Sequence, residues 1–233
     1  MNNKVSDRDK WKKIVGIMVF VSLLLSIVYA TVKIIYSPTG TSSEMYEKVR
    51  SDYVLMLLQC IFGIVVMAIP SIVEKKASID IPNNMEIMYF IFLYCAIYLG
   101  EVRNFYYLIP NWDTILHAFS GAMLGALGFS LVSFLNDSEH THIDLSPFFV
   151  ALFAFCFALA SGAVWEIYEF LADEILATNM QKYMLADGTI LVGHAALMDT
   201  MEDFIVDSLS SLAVTIAGYY SIKNKKPQNL KKL

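Results

Sequence analysis

The feature that most constrains this chain is the recurrence of apolar runs long enough to cross a lipid bilayer. A hydrocarbon core of about 30 Å takes about 20 residues of helix, and residues 14–36 supply that with Lys33 as their only charge. Comparable runs follow over 53–73, 85–101, 113–135, 147–172 and 201–222. A helix satisfies its backbone hydrogen bonds within itself, which lipid requires. The expected fold is therefore an all-α bundle of six membrane-spanning helices, with 1–233 forming a single membrane domain and 223–233 a basic tail. The composition agrees: 57% hydrophobic and 17% charged residues, with a mean hydropathy of +0.54, exclude an ordinary soluble globular domain. The first run exceeds a secretory signal core and lacks a small-residue cleavage site, so it is expected to stay as an uncleaved helix. Cys60, Cys95 and Cys156 sit in apolar runs at no metal-binding spacing and are expected to be buried free thiols.

Charge in the loops sets the orientation. Lys4, Arg8, Lys10, Lys12 and Lys13 precede the first run, Lys75 and Lys76 follow the second, and the tail carries Lys223, Lys225, Lys226, Lys231 and Lys232. The opposite side of a six-span chain holds only Lys48, Arg50, Arg103 and Lys182. Both termini are expected in the cytoplasm of a multi-pass protein of the cell membrane.

Acidic groups are concentrated where the last three runs meet the outer surface. The stretch DTMEDFIVD places Asp199, Asp203 and Asp207 within an arc of about 80° on one helix. Asp113 and His117 open the fourth run at i, i+4, and Glu166, Glu169 and Asp173 close the fifth at i, i+3, i+7. In the six-span topology all three clusters fall at the same depth. An uncompensated carboxylate there costs about 3 kcal/mol on insertion scales, so these groups must share protons, pair with a base or bind a cation. Acids outnumber the nearby bases, which are His117, with Arg103 and His194 reachable from loops. The pattern points to a divalent metal ion held by Asp113, His117, Glu169, Asp199 and Asp203, with Glu166 and Asp207 as catalytic carboxylates.

Each element also has an ordinary structural reading. Asp113 and Asp199 suit helix N-termini, although capping explains neither His117 nor Asp207. Gly121, Gly125 and Gly128 suit close helix packing. Trp165 and Tyr168 suit an interfacial rim. His140 and His142 form a His-x-His in a loop on the cytoplasmic side, where a solvated turn is expected.

The segments WDTILHAFSGAMLGALGF, VWEIYEFLAD and MDTMEDFIVDSLSSLAV together resemble YjdF-type bacterial inner-membrane proteins, a family of unknown function. The matching positions are Asp113, His117 and Gly121; Glu166 and Glu169; and Asp199 and Asp203. The last stretch opens with Met198-Asp199 where that family tends to have Trp-Asp, and it adds Asp207. The resemblance runs from Trp112 to Val214 and leaves the first three spans unmatched. A looser likeness connects the same order of groups with VanZ-like membrane proteins. Neither resemblance implies a reaction.

Three functional classes stay open. The first is a metal-dependent membrane hydrolase or transferase acting on a lipid-linked or phosphate-containing envelope substrate. The second is a cation or proton-coupled transporter or binding protein, and the third a non-catalytic membrane scaffold or sensor. Membrane lipids are the expected surroundings, and no nucleic-acid partner is expected. The orientation is open to direct test. A fluorescent protein fused after Leu233 should fluoresce, and alkaline phosphatase inserted at Gly188 should be active; the reverse pattern would overturn the assigned sidedness.

Overall fold

Apolar runs become helices, and among the described residues nothing else of length forms. The computed structural model describes residues 7–38, 48–77, 81–137, 145–176, 178–185 and 188–224. The helices are α1 Asp7–Tyr36, α2 Arg50–Met67, α3 Ile69–Ala77, α4 Asn83–Leu93, α5 Phe105–Leu108, α6 Trp112–Asp137, α7 Pro147–Leu176 and α8 Met198–Lys223. A π-helix, Tyr94–Val102, continues α4, and a short 3-10 turn, Gly193–Leu197, leads into α8. Among the described residues, six helical stretches are long and apolar enough to cross a membrane: Asp7–Tyr36, Arg50–Lys76, Asn83–Val102, Trp112–Val132, Pro147–Leu176 and Gly193–Lys223. The fold is all-α, as expected. His140, His142 and the tail from 225 onward lie outside the described residues.

The chain divides into two compact units, one of Met1–Leu116 with Phe170–Leu197, the other of His117–Glu169 with Met198–Leu233. In the first unit α1 turns Gly16, Val19, Leu23, Ser26 and Ala30 inward. The alternating spacing of three and four keeps them on one stripe. α2 does the same with Tyr53, Met56, Cys60 and Gly63, and α4 adds Phe90 and Leu93. Lipid tails are as apolar as these side chains, so the gain comes from close van der Waals contact and not from leaving water. Gly63 shows how close: a Cβ there would lie 2.5 Å from Ile97 Cδ1 and 3.0 Å from Leu23 Cδ1. Of the three thiols only Cys60 is buried; Cys95 is half-buried and Cys156 exposed. Cys156 follows buried Ala154 by two residues, about 200° around α7, and so turns away from its packed face.

Two irregular backbone stretches are satisfied by side chains. Pro70 has no N–H to offer Val66, four residues back, so the second span breaks between α2 and α3. The Val66 carbonyl accepts a backbone N–H at the helix cap and also the Tyr89 hydroxyl, at 2.7 Å. In the π-helix, Cys95 O accepts the Trp112 indole N–H at 3.3 Å, and Glu101 O accepts Lys48 Nζ at 2.5 Å. Asn104 then takes a left-handed φ of 65°, which asparagine tolerates better than most residues, and turns the chain into α5.

The first unit also carries a buried charge. Glu86 is 3% exposed and pairs with Lys12 of α1, while Asn83 donates to Asp9 at 2.6 Å. Removing one partner of such a pair strands the other in an apolar setting. Lys12→Met should therefore cost about 3 kcal/mol, and adding Glu86→Leu should recover most of it. Thermal unfolding in detergent would measure this; equal melting of the single and double variants would show that Glu86 does not depend on Lys12.

Candidate functional site

Three helix segments of the second unit share one plan: each has a polar end and a small or apolar end along its buried stripe. On α6 the buried positions run His117, Gly121, Gly125, Gly128, Val132; on α7 they run from Val150, Ala154 and Ala158 through Gly162 to Glu166 and Glu169. On α8 they are Asp203, Asp207, Ser211 and Thr215. The outward positions are the reverse, with Val164, Ile167, Ile205, Leu209 and Ile216 exposed. Polar inside and apolar outside is the order lipid imposes.

Glycines bring the polar ends together. A Cβ on Gly121 would lie 3.0 Å from the Asp207 backbone, one on Gly128 would lie 2.7 Å from Ala154 Cα, and one on Gly162 would lie 2.5 Å from Asp207 Oδ2. Thus α8 is seated against both α6 and α7 at Asp207. The hydroxyls below it are spent locally, with Ser211 donating to Asp207 O at 2.6 Å and Thr215 to Leu212 O at 3.1 Å.

At this junction the His117 ring lies between two carboxylates of α8. Its Nδ1 is 3.4 Å from Asp207 Oδ2, and its Nε2 is 3.7 Å from Asp203 Oδ2. All three residues are buried, at 5%, 4% and 2% exposure for His117, Asp207 and Asp203. An ionised Asp207 can only accept, so Nδ1 then carries the proton and a neutral ring presents its Nε2 lone pair toward Asp203. Asp207 Oδ1 is also buried, with no hydrogen-bond partner among the described residues.

The remaining acids are distributed over α6, α7 and α8. Glu166 and Glu169 are buried on α7, one and two turns beyond Gly162 on its inward stripe. Asp199 is half-buried one turn ahead of Asp203. In the first unit, Asp113 lies one turn before His117 on α6, and its Oδ2 receives Lys182 Nζ at 2.6 Å. Asp173 organises the connection after α7: its Oδ1 accepts from Thr178 Oγ1 at 2.5 Å and Met180 N at 2.7 Å, and its Oδ2 from Gln181 N at 2.9 Å. Arg103 and His194 are exposed. Gly162 was not singled out by the motifs, although its position four residues before Glu166 places it on the same helix face.

These features define a polytopic α-helical membrane protein with a buried histidine and carboxylate cluster. The chain belongs to the DUF2238 family of predicted membrane proteins, whose model matches residues 17–224. It is similar to an uncharacterised protein of Thermotoga maritima, 30% identical over 141 residues, which is 60% of this chain and 64% of that relative. The chain thus spans just under two thirds of the relative's length. No solved structure matches it.

Gly162 and Gly125 offer a contrast. Gly162→Ala should push the new methyl into the Asp207 carboxylate and cost about 1–3 kcal/mol. Gly125→Ala, whose Cβ would meet Ser211 at an ordinary 3.5 Å, should be close to neutral. Equal thermal midpoints for both variants would contradict the tight seating of Asp207.

Proposed function

We propose that this is a cell-membrane protein that binds a divalent transition-metal ion through His117 Nε2 and the Asp203 carboxylate. The observation that carries this is the 3.7 Å between those two atoms. It is too long for a good hydrogen bond and close to the separation of about 3.4 Å between two ligands of one ion with bonds of about 2.1 Å in tetrahedral geometry. Asp207 would act behind the metal, accepting from Nδ1 to fix the ring and its tautomer, an arrangement common around metal-bound histidines. Asp199 and Glu169 would complete the shell. Imidazole among carboxylates suits zinc, manganese or iron better than magnesium or calcium.

The chemistry we assign is hydrolysis or transfer on a phosphate-bearing, lipid-linked substrate. The ion would polarise the substrate oxygen and activate water, and Glu166, outside the ligand set, would take the proton. The one-sidedness of the buried stripes favours this over transport: past Asp207 the described inward positions of the second unit are hydroxyl, glycine, alanine and valine, which offer no ionisable relay.

Metal analysis of purified protein equilibrated with zinc or manganese should find bound ion. His117→Ala and Asp203→Asn should abolish binding, and Asp207→Asn should weaken it by about 10–100-fold. Full occupancy in His117→Ala would overturn the site. Binding without release of phosphate or headgroup from lipid substrates would retain the metal and remove the hydrolase.

A further inference from the structure

Apart from the metal reading, the first unit holds a groove of amphiphile shape. Its volume is about 400 Å³, and its lining is Arg50, Ser51, Val54, Leu55, Leu58, Leu176 and Thr178. Polar and apolar groups are separated along it. Arg50 and Ser51 begin α2, and Leu58 lies about 12 Å further along that helix at 1.5 Å per residue. Thr178 stands at the same end as Arg50, just beyond the end of α7, with Leu176 beside it. The groove therefore offers a polar mouth and aliphatic walls two helical turns deep.

The charges around the mouth decide what fits it. Of the acids close by in sequence, Asp52 Oδ2 accepts from Val49 N at 2.8 Å and Asp173 accepts from Thr178, Met180 and Gln181, while Glu174 stands exposed on α7. Lys48 is spent on Glu101, 3.3 Å away. Arg50 is exposed, and among the described residues its guanidinium donates to the Ser37 carbonyl, at 3.5 Å, the outer limit of a hydrogen bond. Among the described residues it meets no carboxylate, and a guanidinium offers five donors and a permanent charge. An anion is its complement, and the walls below require that anion to carry a hydrocarbon chain.

We propose that this groove binds a membrane phospholipid with a net negative headgroup, the phosphate on Arg50 and Ser51 and one acyl chain along Val54, Leu55, Leu58 and Leu176. A guanidinium grips phosphate through paired N–H donors, and one cation near an anionic lipid surface favours binding by about five-fold. The site separates lipids by headgroup charge at the mouth and excludes all of them if the walls are filled.

Native mass spectrometry of the full chain, released from detergent with phosphatidylglycerol or phosphatidylcholine of the same acyl composition, tests this. Phosphatidylglycerol adducts should exceed phosphatidylcholine adducts by about five-fold, and Arg50→Ala should remove the preference while Arg50→Lys keeps part of it. Leu55→Trp should suppress both lipids, with unchanged thermal unfolding showing that the variant is folded. Equal binding of the two lipids, or a preference that survives Arg50→Ala, would overturn the proposal. His117→Ala should leave the preference intact, so failure of the metal site and failure of the groove are told apart.

Discussion

A polar side chain inside a bilayer has no water to turn to, and the second unit is arranged to meet that constraint. Its helices carry aliphatic residues outward and bury His117, Glu166, Glu169, Asp203, Asp207, Ser211 and Thr215. The contact of His117 with Asp203 and Asp207 is the clearest result. One imidazole offers two nitrogens on opposite sides of its ring, and two carboxylates a turn apart on α8 face them, Asp207 at 3.4 Å and Asp203 at 3.7 Å. With one residue on α6 and two on α8, the contact ties these helices together at a fixed register.

That contact depends on how closely the helices approach. Side chains as short as aspartate and histidine meet only where backbones are near, and glycine permits this. Gly121 and Gly162 each leave the space that Asp207 occupies, and Gly128 lets α6 lie against Ala154 of α7. The small residues are thus as necessary to the cluster as the charged ones, although they contribute no chemistry. The first unit solves the same solvent problem for backbone groups, with Tyr89 reaching the Val66 carbonyl beside the break at Pro70 and Trp112 and Lys48 covering carbonyls of the π-helix.

Not every acid near the cluster in sequence serves it. Asp173 continues the stripe of Glu166 and Glu169 by helical spacing, yet its carboxylate folds over the chain that follows α7 and satisfies two backbone amides. Asp113, one turn from His117, takes the ammonium of Lys182. Periodicity states which side of a helix a residue faces, but a residue near a helix end also meets the loop beyond it. There the loop's own unsatisfied N–H groups and cations compete for the carboxylate.

The sequence by itself determined the class of fold, because a run of apolar residues near the bilayer thickness has essentially one conformation open to it, and counting such runs counts spans. It also determined which residues are candidates, since a carboxylate or imidazole within such a run is costly unless compensated. Only the tertiary structure decided the assignments. Which nitrogen of His117 faces which aspartate, that Asp207 is seated against Gly162, that Asp173 and Asp113 are engaged by the loop after α7, and that the third span ends as a π-helix all follow from the separations of helices distant in sequence. Those separations are set by side-chain packing over a few tenths of an ångström, which neither composition nor periodicity encodes.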